Sequence, residues 1–200
     1  ADPEARGSIL SPPPGMLYDP GFRAGLREVQ TRGLVFDAWM YHTQLGELAD
    51  LATAMPDLQI VLNHQGGPLG IGPYAGRRAE VYADWLHFMT RLAAFPNIAV
   101  KLGGFGMLMA GFDFHERDRP AGSAELAKAW APYMARTIEL FGADRCMFES
   151  NFPVDKGTTS YRLIWNAFKR IASGATDAEK HALFFGTANR IYCLGLHDSA

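Results

Sequence analysis

Cysteine is nearly missing from this chain. Cys146 and Cys193 are the only two in 200 residues, too few for a disulfide framework, so stability must come from a packed core and a reducing cytosol is the expected compartment. Long apolar runs are missing as well, which excludes a bilayer-spanning helix. The first residues, ADPEARGSILSPPPG, lack the basic-then-apolar layout of a signal peptide, and the expectation is a soluble, cytoplasmic protein with no membrane partner. Charge of one sign is nowhere concentrated. The 19 Lys and Arg are scattered among 21 Asp and Glu for a net charge of −2, which removes the electrostatic footprint of a nucleic-acid binder and leaves a small neutral or anionic ligand as the expected partner. A dinucleotide fingerprint is also absent. Gly103, Gly104 and Gly106 come near GxGxxG, but no such motif joins a strand to a helix and no acidic residue ends the next strand.

What is present is a globular composition, 48% hydrophobic and 20% charged, sufficient for one sizeable core. The chain opens on Ala1 and passes through Pro12, Pro13 and Pro14, so residues 1–18 read as an irregular linker, 19–194 as one domain and 195–200 as a tail. Asp19 and Pro20 start a helix that Gly33 stops. Strands are then expected over Leu34–Tyr41, Leu58–Asn63, Ile98–Leu102 and Cys146–Glu149, each followed by a helical stripe. Ser123 is the expected cap of the helix ending at Gly142, Gly174 closes the helix containing Trp165, and Thr176 with Glu179 forms a capping box for a last helical pair ending near Leu194. Strands alternating with helices imply a parallel α/β sheet, either doubly wound or part of a (β/α)8 barrel. A complete barrel takes about 250 residues and eight strands, and four strands are half of that.

The chemistry-bearing residues cluster where strands end, which is where active sites on parallel barrels are built. His64 follows Ile60, Val61 and Leu62 and precedes Gly66 and Gly67, so its imidazole is expected at the rim. Lys101 lies inside a strand, where an ammonium needs a partner. It is expected either to meet Glu149 or to reach the mouth as a substrate-binding group. Arg77 and Arg78 would clamp a substrate carboxylate, although a solvated first helical turn explains them more simply. His115 sits on the long glycine-rich loop 103–122 as a further substrate contact. Trp39, Trp85, Trp130 and Trp165 are read as packing.

Five blocks, FDAWMYHTQLGELADLA (36–52), IVLNHQGGPLG (60–70), PNIAVKLGGFG (96–106), FGADRCMFESNFPVD (141–155) and LFFGTANRIYCL (183–194), resemble the C-terminal half of the amidohydrolase-related metal-dependent hydrolases, in the branch of 2-pyrone-4,6-dicarboxylate lactonases and fuconolactonase-like enzymes. The resemblance implies a TIM barrel of which these are the fifth to eighth strands, with the HxH pair of the first strand absent here. It implies a divalent metal, Zn or Mn, bound by His64 and by His42 or a group that His42 supports, with metal-free variants expected in the lactonase branch. Relatives commonly read SDWP where this chain has Ser150, Asn151, Phe152 and Pro153, and their Asp both binds metal and activates water. An amide cannot take that proton. Strand alternation offers Glu149, two residues earlier and on the same face, as the replacement charge. The resulting expectation is a lactone hydrolase in which His64 polarises the carbonyl and Glu149 or Asp155 generates hydroxide. The alternatives are a related decarboxylase and a barrel fragment inactive without its other half, whose open strand edges would favour a homo-oligomer.

Overall fold

The computed structural model describes residues 12–197. The linker assigned to 1–18 and the tail assigned to 195–200 therefore lie partly outside the described residues. Four strands, β1 (Phe36–Ala38), β2 (Ile60–Leu62), β3 (Ile98–Leu102) and β4 (Cys146–Phe148), form one parallel sheet in the order β1-β2-β3-β4. A doubly wound sheet reverses its strand order at a switch point. Sequential order without reversal is that of consecutive barrel strands, and it decides between the two sequence-based alternatives.

Register fixes what each face carries. Phe36, Ile60 and Ile98 are aligned across the sheet, and Lys101 pairs with Met147. Ile60, Leu62, Ile98, Val100, Leu102, Cys146 and Phe148 belong to the main core, packed by α2 (Leu45–Ala54), α3 (Arg78–Ala93), α4 (Ser123–Phe141) and α5 (Tyr161–Ile171). With period-two alternation the other face carries Asp37, Val61, Ala99, Lys101 and Met147. Val61, Ala99 and Met147 cluster there with Ile191 and Tyr192 at the end of α7 (Thr187–Ile191). Cys146 is fully buried and desolvation pushes its thiol up, whereas Cys193 is exposed.

The helix boundaries read from capping signals largely hold. Asp19 accepts from the Phe22 N–H at 2.7 Å at the start of α1 (Pro20–Thr31). The Thr176–Glu179 box closes at both ends, with the Thr176 N–H donating to Glu179 at 2.8 Å ahead of α6 (Asp177–His181). Other elements differ. The first strand is only three residues long because Tyr41 opens a 3-10 turn, its N–H donating to the Gln44 side chain at 3.2 Å. Ser123 is the first residue of α4 instead of its cap: Gly122 takes the cap position, its N–H donating to Glu125 at 3.1 Å, and the Ser123 hydroxyl accepts from Arg170. Helix α5 ends at Ile171 with Ala172 as its C-cap, two residues before Gly174. The final helical pair is interrupted by a π-turn over Ala182–Gly186. No described helix is long and apolar enough to cross a membrane.

Candidate active site

Strand β2 ends on fully buried Leu62, and the chain then turns left-handed, with φ of 52° at His64 and 54° at Gln65. Such angles are uncommon outside glycine and disfavoured by about 1–2 kcal/mol per residue. The turn persists because its surroundings hold it. Trp85, buried in α3, donates its indole N–H to the Gln65 carbonyl at 2.7 Å, and the Gly67 N–H donates back to the His64 carbonyl at 3.0 Å. Backbone strain of this kind accumulates where a side chain must be aimed. Here it directs the imidazole to Glu149, just past β4, with Nδ1 2.5 Å from Oε1. Both side chains are mostly covered, at 13% and 18% exposure. Trp39 meets the ring edge-on at a centroid distance of 4.6 Å.

The loop after β3 wraps this pair, and its glycines make the close approach physically possible. A Cβ at Gly103 would lie 2.4 Å from the Glu149 Cγ, and one at Gly104, where φ is +74°, would lie 2.5 Å from the His64 Nδ1. Gly106 continues the contact to Asp155, donating its N–H to Oδ2 at 3.1 Å, while the Asn151 amide donates to Oδ1 at 2.7 Å. Thr158 completes the tie by donating to the Gly106 carbonyl at 2.5 Å. His64, Glu149, Asn151 and Asp155, singled out from separate sequence blocks, thus form one connected group. Asn151 does not reach it by strand alternation. Its φ of 51° turns the chain out of the strand after Glu149, so the face-sharing argument stops short of it.

Asp155 is 1% exposed, and burial pushes its carboxyl up to about 6, against the opposing pull of the Asn151 and Gly106 donors and of His64. An acid whose pKa is higher in the folded than in the unfolded chain favours folding most below its unfolded pKa, near 3.8. That contribution is lost as pH rises through about 6. Asp155→Asn removes the titration while keeping the shape. If the Asn151 amide turns over, its oxygen accepts from the new amide and the Gly106 N–H keeps its acceptor. Thermal melts of both proteins at pH 4.5 and 7 are expected to show the wild type losing several degrees relative to the variant at the higher pH. A Tm difference that is constant across the range would refute the assignment.

The remaining candidates engage other partners. Lys101 does not meet Glu149: it shares a sheet face with Asp37 and reaches across β2 to it at 2.7 Å, beside the Tyr192 ring. Burial disfavours the ammonium, but hydrogen bonds to Asp37 and Tyr192 outweigh that and hold it above its ordinary value. Arg77 pairs with Glu80 at 2.6 Å on an exposed helical turn. Arg78 donates to the Ala110 and Gly111 carbonyls and lies 4.1 Å above the Phe112 ring, bracing the long loop. His42 is buried, its Nδ1 accepting from the Leu69 N–H at 3.3 Å and its ring edge-on to Tyr74. Desolvation lowers its pKa, which favours the neutral form. His115 lines a pocket beside Thr158. Among the tryptophans, Trp85 and Trp130 are buried packing residues as expected, but Trp39 is 40% exposed and stands against His64. Sequence reasoning missed that contact. The signal available was its position in the expected strand Leu34–Tyr41, immediately after the last residue of β1.

Protein zinc sites draw on at least three side chains. Here the His64 Nδ1 and the Glu149 carboxylate engage each other, both Asp155 oxygens accept hydrogen bonds, and position 151 offers an amide. Among the described residues, no group of three or more His, Cys, Asp or Glu stands ready to hold a metal ion. These donors do not by themselves fit a divalent cation.

Comparison with known proteins places this geometry in a lineage. A crystal structure of an amidohydrolase from Burkholderia multivorans with bound Zn superposes with a TM-score of 0.77 at 26% identity, covering 90% of this chain and 59% of that one. An uncharacterized protein of Sinorhizobium fredii is 37% identical over 179 residues, 90% of this chain and 54% of its own length. An L-fucono-1,5-lactonase of Burkholderia multivorans is 28% identical over 177 residues, 88% of this chain and 57% of its own length. The chain therefore spans about half the length of the curated relatives it matches. The amidohydrolase family model matches residues 1–194, and with the sequential parallel strands and the rim they carry, this chain belongs to the amidohydrolase family.

Proposed function

We propose that this chain supplies the proton-transfer machinery of a hydrolase acting on a small cyclic ester. The observation that carries the proposal is the 2.5 Å contact between the His64 Nδ1 and Glu149. A carboxylate on Nδ1 fixes the tautomer in which that nitrogen holds the proton, so Nε2 is left with the basic lone pair. Water attacking the acyl carbon transfers a proton to Nε2, and Glu149 stabilises the imidazolium that forms. As the tetrahedral intermediate collapses, the ring C–O bond breaks and the imidazolium returns the proton to the departing alkoxide, giving a hydroxy acid. These roles invert the sequence-based expectation, in which His64 polarised the carbonyl and a carboxylate took the proton.

Asp155, with both oxygens engaged, acts on this reading as a positioning residue that ties loop 103–106 to loop 151–158. The lactonase name of the relative from Burkholderia multivorans supports the choice of substrate class. The Zn bound in the similar crystal structure is a property of that protein. A metal here would need donors beyond these side chains, and the proton path above uses none.

The test is titration of acid release by the full-length protein on a panel of five- and six-membered lactones. Saturable hydrolysis of at least one member is expected, and a panel without turnover overturns the proposal.

A further inference from the structure

Against Gly106 and Thr158, on the loops that hold Asp155, lies a pocket of about 360 Å³. Its lining includes Met107, Leu108, Met109, Val154, His115 and Thr158. Gly106 belongs to the same wall, and two residues earlier on that loop Gly104 packs against the His64 ring. One loop thus covers the His64 ring at Gly104 and walls the pocket from Gly106, which itself donates to Asp155.

Its chemistry is one-sided. Met107 to Met109 supply three consecutive apolar side chains, two of them unbranched thioethers that adapt to an irregular guest. The Thr158 hydroxyl already donates to the Gly106 carbonyl, so His115 is the polar group left to face a ligand. Leu108 and Val154 stand at 58% and 62% exposure, large apolar surface that an equally apolar guest would cover. A sugar lactone brings several hydroxyls, and each one buried there without a partner would be disfavoured by about 1–3 kcal/mol.

We infer that the pocket receives an uncharged alkyl or aryl arm on the substrate, so that this protein acts on apolar-substituted lactones and not on polyhydroxylated sugar lactones. The inference rests on the lactonase reading above for the reaction, and on the pocket for the substituent.

The experiment measures kcat/KM of the full-length protein on γ-lactones from γ-butyrolactone to γ-decalactone, alongside L-fucono-1,5-lactone. Each methylene that enters the pocket is expected to raise kcat/KM about fourfold, equivalent to about 0.8 kcal/mol, until the pocket is filled. The sugar lactone is expected to be the poorest substrate. Leu108→Ser and Val154→Ser, both at exposed positions that do not threaten folding, should flatten the dependence on chain length.

Turnover that is independent of arm length, preference for the sugar lactone, or an unchanged slope in both variants would overturn the inference while leaving the hydrolase intact. If no lactone is hydrolysed, the reaction assignment fails, and the pocket is judged by binding of 2-alkylcyclopentanones, which carry the arm on a ring that cannot be opened. Thermal stabilisation that grows with alkyl length supports the pocket. Stabilisation independent of length overturns it.

Discussion

Replacing Glu149 by glutamine is expected to lower kcat for lactone hydrolysis by about 10²–10⁴-fold, the usual worth of a positioned acid–base group, while the protein stays folded. The amide oxygen of the new side chain can still accept from the His64 Nδ1, so the contact at 2.5 Å loses its charge but not its direction. What disappears is the negative charge facing the imidazolium at the moment the water proton is transferred. Replacing His64 by glutamine should cost at least as much, since it removes the base itself. The double variant should be scarcely worse than His64→Gln, because residues that act as a unit are not additive. Steady-state kinetics on the lactone that the wild type turns over best, with melting curves for all three variants, decide the matter. A folded Glu149→Gln enzyme with wild-type kcat would show that the contact has no part in the chemistry.

The order of strands and helices was legible in the residues because parallel α/β architecture writes itself as buried β-branched runs punctuated by helical stripes. Ile98–Leu102 was placed to the residue. Strand ends were less legible, because β1 and β2 are cut short by turns, and the one after β2 has a cause that is not local. The left-handed turn at His64 and Gln65 is held by the indole of Trp85, 20 residues from its acceptor. The group formed by His64, Glu149, Asn151 and Asp155 was found in outline from strand ends and from the SNFP departure. Its internal wiring was not, because which carboxylate faces the imidazole depends on loops that carry no periodic signal. Lys101 illustrates the limit. The need for a partner could be read from its place in a strand, but the partner is Asp37, 64 residues away, and only the sheet register makes them neighbours.

The same wiring makes Gly104 a vulnerable residue although it carries no reacting group. Gly104→Ala is expected to reduce kcat/KM by about 10²-fold, the scale of loss for an ångström of misplacement, and to destabilise the fold by at least about 1–2 kcal/mol from the left-handed backbone alone. The added methyl would stand 2.5 Å from the His64 Nδ1 and 2.8 Å from the His64 Cβ at a φ of +74°. Such a clash is relieved only if something moves. Rotating the imidazole aside breaks its contact with Glu149, and shifting its backbone is opposed by the Trp85–Gln65 and Gly67–His64 hydrogen bonds. Nor can the loop lift freely, because Gly106 is held by both Asp155 and Thr158. Either adjustment separates Nδ1 from Glu149, and the rate falls with that separation. Gly25→Ala is the matched control: it lies within α1, has no heavy atom within 4 Å of an added Cβ, and should leave kcat/KM unchanged while raising stability by up to about 1 kcal/mol. Kinetics and melting curves on the pair separate the two effects. A Gly104→Ala protein that loses stability but keeps its full kcat/KM would mean that catalysis does not depend on where this loop holds the His64 ring.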